Sequence, residues 1–340
     1  MDTGRVGVIY NQPVGQGAEA AAEAGVLVEM EAVRCALELL GQPHTLYPVG
    51  TDLPAIIARL HADPPDVAVN LCEMFPGTHG GEMYMPGVLE LLGIPYTGST
   101  PLTIGICLHK GFTKHHLASS GVPVPDFVTV RRLDDKIDVG FPLIVKPLYA
   151  DASRGIHPDS VVFDEAGLRR KLRYVLEDFG QPAIVERFIG GREFKVATFG
   201  NRPPRTLPLS EVDYYPNMLQ DLPSILGYDA KWNPESLQYK GYDVVCPASI
   251  EDDLARRLRE VAMDACLSLG CRDYARVDLR ADEEENVYVL DVNPNPDISP
   301  DSGYMSSWEA TGKNYADFVS ELLGFVRERA RNAYPPDVSF

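Results

Sequence analysis

Segment 274–279, Tyr-Ala-Arg-Val-Asp-Leu, alternates strictly, so in a strand Ala275, Val277 and Leu279 face one way while Tyr274, Arg276 and Asp278 face the other. Segment 287–293, Val-Tyr-Val-Leu-Asp-Val-Asn, alternates too, with Tyr288, Leu290 and Val292 expected on one side and Asp291 and Asn293 on the other. The polar stretch Ala-Asp-Glu-Glu-Glu-Asn separates the two. A hairpin closing symmetrically about Glu284 and Glu285 sets Asp278 opposite Asp291 and Arg276 opposite Asn293. Carboxylates facing each other at about 5 Å between Cβ atoms destabilise a strand pair unless a cation lies between them. A hard divalent ion answers that need. Two carboxylates and an amide oxygen, from Asp278, Asp291 and Asn293, make a typical partial shell for Mg²⁺, which keeps waters and takes further ligands from phosphates. The competing reading is a solvated polar sheet face. The rigid Asn-Pro-Asn-Pro run that begins at Asn293 and the neighbouring Arg276 weigh against it.

A phosphate ligand would need cations of its own. Lys146 ends the apolar run Phe-Pro-Leu-Ile-Val-Lys, where a buried ammonium is costly without an anionic partner. A phosphate is one candidate partner, and a lysine snorkelling at a strand end is the plain alternative. The following loop, residues 148–155, has small residues and Gly155, which suits close backbone approach and N–H donation to phosphate oxygens. Further on, in Ala-Ile-Val-Glu-Arg-Phe-Ile-Gly-Gly-Arg-Glu-Phe, Glu186 can accept from an amino group, Phe188 and Ile189 can line an apolar slot, and Glu193 can accept from a ribose hydroxyl. Each could instead be an ordinary core or surface side chain. Gly15, Gly17 and Ala20 match the dinucleotide pattern GxGxxA. However, four residues separate them from the first strand, and the second strand does not end in the acidic residue that pattern needs.

These residues require a particular scaffold. Residues 5–10, 44–48 and 66–71 read as short strands, with helical spacing over 24–40 and 54–62 between them, the alternation of a parallel α/β sheet. A helix and a short strand follow within 87–98, then a helix around 103–120 ending at Gly121. From Pro142 to Phe199 the pattern is strand, glycine loop, strand, helix (165–178) and two strands (183–188, 193–199), a compact α+β unit. Segment 208–243 has several Pro, Tyr and Asp residues and no clean period, as a functional loop or lid does. Helix 250–269 follows, with Ser249 as its expected N-cap and Gly270 at its end. The expected organisation is an N-terminal domain over 1–105, a central subdomain over 106–190 and a C-terminal subdomain over 191–340 that carries the lid.

With 45% apolar and 24% charged residues over 340 positions, the chain has the composition of a folded globular protein. A formal charge of −18 would repel nucleic acid and anionic membranes. The six cysteines form no CxxC and no zinc spacing, so a reducing cytoplasm is expected. The N-terminus has no basic start with an apolar stretch, and no apolar run reaches the roughly 20 residues needed to span a bilayer.

The ordered set of motifs resembles a family, the ATP-grasp ligases, and within them the D-alanine-D-alanine ligase group. It comprises Leu-Leu-Gly-Ile-Pro-Tyr-Thr-Gly-Ser (91–99), Lys110 at a helix start followed by Gly-Val-Pro-Val-Pro-Asp-Phe, and Pro-Leu-Ile-Val-Lys-Pro. After these come the Glu186 segment, Asp-Ala-Lys-Trp at 229–232, and the two strands of the hairpin. The resemblance runs over nearly the whole chain. It implies an ATP-grasp fold, α/β and α+β, with an N-terminal Rossmann-like parallel domain. It implies that Lys110 and Lys146 contact ATP phosphates, that Glu186, the backbone near Arg187, Phe188, Ile189, Glu193, Leu290 and Asn293 belong to the nucleotide site, and that Lys231 reaches the γ-phosphate. Asp278, Asp291 and Asn293 would hold one or two Mg²⁺, with Mn²⁺ as a substitute, and Arg276 would stabilise an oxyanion. The implied reaction passes through an acyl phosphate that an amine attacks to form an amide, with a homodimer as the expected assembly. Asp291 stands where the family usually has glutamate, so its reach to a second metal is shorter.

The departures fall on the substrate side. The family's serine after the lysine strand falls on Ala152, with Ser153 beside it, and its lid tyrosine falls on Trp232. The N-terminal glycine loop reads differently, with Glu19 and Glu23 nearby. The segment after the third strand brings Asn70, Glu73, His79 and Glu82, and Asp297 replaces a glycine. Ser302 falls where a serine binds the second substrate's carboxylate. Arg276, Lys231 and Ser153 are therefore the catalytic candidates, and Glu73, Trp232, Asp297 and Ser302 the substrate candidates. The expected partners are small carboxylates and an amino-acid or dipeptide amine. The alternatives are a true D-alanine-D-alanine ligase and an ATP-binding module without turnover.

Overall fold

The computed structural model describes residues 4–13, 18–75, 81–150, 153–201, 203–219 and 222–332, apart from the side chains of 18–24 and of Trp232. Strands β1 (Val6–Asn11), β2 (His44–Val49) and β3 (Val67–Leu71) form a parallel sheet in the order β2-β1-β3, with Val8 set between Leu46 and Val69. The central strand is buried along nearly its whole length, as a parallel strand covered on both faces must be. The crossovers are α1 (Ala18–Leu39) and α2 (Leu53–Ala62). Asp52 caps α2 by accepting from the Ala55 N–H at 3.0 Å, with proline in the first turn. Helix α3 (Tyr84–Leu91) leads to Tyr96, which bridges Ala68 in parallel.

The single helix expected around 103–120 is two helices, α4 (Pro101–Cys107) and α5 (Lys110–Ser119). The break has a local cause. His109 takes an extended ψ of 91°, and its ring Nδ1 accepts from the Phe112 N–H at 3.1 Å, so it caps a new helix. Lys110 thereby lies in a first turn, beside the next sheet.

That sheet comprises β4 (Phe127–Val130), β5 (Leu143–Pro147), β6 (Val161–Val162) and β7 (Ala183–Arg187), antiparallel in the order β4-β7-β5-β6. Helix α6 (Glu165–Arg173) lays Leu168 and Leu172 over Val145 and Val185. Beyond Arg173 the expected helix continues only as a π turn to Asp178.

The third sheet runs β11-β10-β8-β12-β13, with β9 (Arg205–Thr206) on β8. Its strands are β8 (Arg192–Gly200), β10 (Ser210–Tyr214), β11 (Tyr242–Val245), β12 (Asp273–Ala281) and β13 (Val287–Asn293). The segment 208–243 is less irregular than its sequence suggests. Its ends are the paired strands β10 and β11, and α7 (Pro216–Leu219), α8 (Tyr228–Trp232) and α9 (Leu237–Lys240) fill the excursion. Helix α10 (Asp252–Leu269) covers one face, packing Leu254, Leu258 and Ala262 on Ala275, Val277 and Leu279, with Leu117 of α5 in the same core. Ser249 is not its cap. The helix starts after Glu251, whose side chain makes no capping bond, and Asp252 and Asp253 supply negative charge to the first turn. Gly270, at φ +71°, ends it.

On the other side α11 (Gly303–Glu309) and α12 (Tyr315–Asn332) join Trp308, Phe318 and Leu322 to Val6 and Val69 of the first sheet and Phe199 of the third. Fully buried Asp273 ties these parts together, accepting from the Gly98 N–H at 2.8 Å and pairing with Arg329. Among the described residues no helix is long and apolar enough to cross a membrane.

Candidate active site

In the β12–β13 hairpin Asp278 lies directly opposite Asp291 and Arg276 opposite Asn293, the pairing expected from symmetry. The route to that pairing is different. Leu279, Arg280 and Ala281 pair with Val289, Tyr288 and Val287, a register centred on Glu284 alone, with the left-handed Glu285 in the turn. A bulge between Asp278 and Leu279 inserts Leu290 and restores the Asp278–Asp291 match. It also changes the phase of β13. Val287 and Val289 share the α10 core with Val292, so the expected grouping of Tyr288 and Leu290 with Val292 does not hold.

Asp278 is flanked by cations. Arg276 donates from Nε to Oδ1 at 2.7 Å and from Nη2 to Oδ2 at 3.3 Å, and the Lys195 ammonium is 3.9 Å from Oδ2. Burial alone would raise the Asp278 carboxyl, but Arg276 and Lys195 hold it well below the usual carboxylate range. Asn293 Oδ1 accepts from the Asn295 N–H at 2.9 Å. Asn295 in turn accepts from the Tyr274 hydroxyl at 2.7 Å and donates to the Cys72 carbonyl, so the Asn-Pro-Asn-Pro corner is anchored at both ends. Among the described residues no group of three or more His, Cys, Asp or Glu side chains is arranged around a metal position. The hairpin offers two carboxylates and one amide, a shell that a hard cation completes with phosphate oxygens and water.

A second cluster is built around Glu186, which is 1% exposed. Its Oε2 receives Lys146 at 3.2 Å and Lys114 at 3.3 Å, while Oε1 has no hydrogen-bond partner. The anionic partner of Lys146 here is thus a carboxylate of its own sheet. Burial would raise the Glu186 carboxyl, yet the two ammoniums keep it below its ordinary value. A buried carboxylate oxygen left open beside Phe188 and Ile189 suits an exocyclic amino group. Lys114 escaped the sequence reading. It also donates to the Val289 and Leu290 carbonyls, and its place one helical turn after Lys110 was the available signal. Removing Glu186 would leave the buried Lys114 ammonium and the half-buried Lys146 ammonium without their shared carboxylate. Glu186→Ala is therefore expected to lose about 3–5 kcal/mol of stability in a denaturant titration, and a loss under about 1 kcal/mol would contradict this geometry.

Glu193, expected to be open to a ribose, accepts from Tyr214 at 2.8 Å and from Arg280 Nη2 at 2.8 Å, all through Oε2. Arg280 also went unnoticed. It is 3% exposed, donates to the Ile189 carbonyl at 2.7 Å and to the lid carbonyl of Ser224, and lies 5.1 Å over the Phe188 ring. Arg187 presents its backbone N–H to the Asp126 carbonyl and its guanidinium to the Tyr288 ring.

Segment 208–243, expected as a lid, is hydrogen-bonded to the glycine loop. Ser153, at φ +60°, donates its hydroxyl to the Leu226 carbonyl at 2.7 Å, and the Tyr228 N–H donates to the Ile156 carbonyl at 2.8 Å. His157 lies 3.6 Å from Asp229. Ser153 therefore fastens the lid and does not point freely at a substrate. Gly155, at φ +76°, has no room for a side chain, because a Cβ would meet Pro147 at 2.7 Å. Lys110 donates to the Ala150 carbonyl at 2.6 Å in the same loop. Lys231 on α8 is half-buried, and burial, then Lys195 and Arg276, lower its ammonium to about 8. That coupling brings it into the Asp278 group. Ala152, His79 and the Trp232 side chain lie outside the described residues.

Toward the first sheet, Asn11 Oδ1 accepts from the Glu73 and Met74 N–H groups at 2.8 and 3.1 Å and fixes that turn. Asp297 is exposed and accepts from the Ser299 N–H at 2.7 Å. Its partner is Glu29 of α1, unforeseen from the sequence, which is 3% exposed and accepts from the Ile298 N–H at 2.8 Å. Burial, then the charges of Glu73 and Asp297, push the Glu29 carboxyl well above the usual range. Ser302 caps α11, accepting from the Met305 N–H at 3.2 Å.

Residues 117–324 match the family model described as D-ala D-ala ligase C-terminus. The chain is 31% identical over 260 residues to the D-alanine-D-alanine ligase of Desulforudis audaxviator, covering 74% of this chain and 79% of that one. It is 34% identical over 247 residues to an uncharacterized Sinorhizobium fredii protein, y4sG, covering 72% and 70%. The D-alanine-D-alanine ligase of Bacillus anthracis, solved with ATP, superposes with a TM-score of 0.73 at 21% identity over 97% of this chain and 99% of that one.

Proposed function

Because this chain belongs to the D-alanine-D-alanine ligase family, ATP-grasp enzymes that form a C–N bond at the expense of ATP, we propose that its Asp278, Asp291 and Asn293 hold Mg²⁺ against the ATP phosphates. The chain is an ATP-dependent carboxylate-amine ligase with the ATP-grasp fold and a parallel N-terminal sheet, and family members use ATP and Mg²⁺. The single observation that carries the residue assignment is the hairpin register, which opposes two carboxylates beside an arginine. When bound there, Mg²⁺ would neutralise charge on the phosphate oxygens.

In this reading Glu186 Oε1 accepts from the adenine amino group, and Ile189 and Phe188 line the base slot. Lys110, Lys146 and Lys231 face the phosphates. A substrate carboxylate oxygen attacks the γ-phosphorus, the bond to the β-phosphate oxygen breaks, and ADP leaves. The resulting acyl phosphate is attacked by an amine, inorganic phosphate departs, and an amide remains. Arg276 stabilises the oxyanion of the tetrahedral step. Lid closure through Ser153 and Leu226 keeps water from the acyl phosphate. Ser302 and the Asp297–Glu29 pair stand at the acceptor end.

The relatives are named for joining D-alanine to D-alanine. We propose a different carboxylate donor for this chain, because Ala152 and Trp232 replace the polar groups that would pair with the donor's ammonium, and an unpaired buried ammonium is strongly disfavoured. The test is ADP release by purified protein with Mg·ATP and a panel of D- and L-amino acids, dipeptides and other carboxylic acids, with products read by mass spectrometry. Efficient turnover with D-alanine alone would overturn the donor reading.

Lys231 gives a pH dependence. Its ammonium, lowered to about 8, is charged below that pH and neutral above it, and phosphates bind the charged form. ATP affinity is expected to weaken above pH 8, approaching about tenfold per pH unit, and Lys231→Met should flatten the profile in calorimetric titrations. An unchanged slope in the variant would remove Lys231 from the phosphate site.

A further inference from the structure

Lys195 is a second resident cation of the hairpin site. In β8 the side chains alternate, so Phe194 and Val196 enter the α10 core while Lys195 points to the opposite face with Glu193. It lies directly across from Asp278 in the β8–β12 register. Its ammonium is 3.9 Å from Asp278 Oδ2, and the side chain is 12% exposed. With Arg276 on Oδ1, each oxygen of Asp278 has a cation beside it.

The donors available to metal ions are correspondingly few. Two short carboxylates, Asp278 and Asp291, and the Asn293 amide are the oxygens on this face of the hairpin, and among the described residues no third carboxylate completes a metal cluster. Glu193 is engaged by Arg280 and Tyr214. A second divalent ion would have to share the short Asp291 carboxylate and the Asn293 amide with the first and would meet the Lys195 charge, with the low-dielectric surroundings sharpening the repulsion.

We propose that Lys195 takes the place of a second metal ion, so that the ATP complex of this chain holds one divalent ion and uses the Lys195 ammonium as the fixed positive charge on the transferring phosphoryl group. The inference rests on the metal assignment given under the proposed function. A lysine is a permanent part of the fold, whereas a second ion depends on concentration. Turnover should therefore saturate with a single metal-binding event.

The experiment counts Mn²⁺ bound to the full-length protein in the presence of β,γ-methylene ATP, by electron paramagnetic resonance. One Mn²⁺ per chain, without spin coupling between ions, is the expected result. Two coupled ions per chain would overturn the proposal. Nucleotide binding with no bound Mn²⁺ would overturn the metal assignment itself, so the two failures are distinguishable. Lys195→Met should lower kcat at least tenfold while the Mn²⁺ count stays at one, and Lys195→Arg should recover most of the rate. A kcat within twofold of the parent in Lys195→Met would also overturn the role.

Discussion

Asp278→Asn is expected to lower kcat by at least about a thousandfold while leaving the protein folded. The substitution keeps the volume of the side chain and removes its charge. Asp278 faces Asp291 across the hairpin and carries Arg276 and Lys195 on its two oxygens, so it is the point on which these cations and the proposed metal ion would converge. A neutral amide cannot offset Lys195, Arg276 and Lys231 together, and it weakens the metal shell to one carboxylate and two amides. Steady-state ADP release measures the effect, and Mn²⁺ titration shows whether metal binding is lost with it. Turnover above about a tenth of the parent rate would remove Asp278 from the metal set.

Arg276→Ala should cost about 10²- to 10³-fold in kcat, the scale seen when one oxyanion donor is removed, with a much smaller change in ATP affinity. The reasoning is geometric. In the structure Arg276 makes a fork to Asp278, and a metal ion held by Asp278 would compete with that fork and free the guanidinium for the reacting carbonyl. Arg276 would then act in the bond-forming step and contribute little to nucleotide binding. Equal losses in kcat and in ATP affinity would assign it to the phosphates.

The alternation of both strands was legible in sequence as a period of two, whereas the opposed Asp278 and Asp291 are set by a bulge that offsets a register centred on Glu284. The bulge at Leu290 was not legible, since it is set by how β12 and β13 fit their neighbours, and it changed the grouping of Tyr288 and Leu290. Lys195 had a readable signal in its alternation with Phe194 and Val196. Arg280 had one too, two residues beyond Asp278 on the same strand. Glu29 had none, because its partner Ile298 lies 269 residues further along the chain. His109 broke the expected helix through its own ring acting as a cap, a side-chain choice that helical spacing does not record. Ser153 neighbours Gly155 in sequence, but that its hydroxyl binds the Leu226 carbonyl has no sequence signal.

The central claim is that a carboxylate is activated as an acyl phosphate at the hairpin. It is tested most directly by supplying a turned-over donor whose carboxylate carries ¹⁸O and analysing the released phosphate by mass spectrometry. One ¹⁸O per inorganic phosphate, accompanied by ADP, is the predicted result. Label appearing in AMP, or inorganic phosphate free of ¹⁸O, would contradict it.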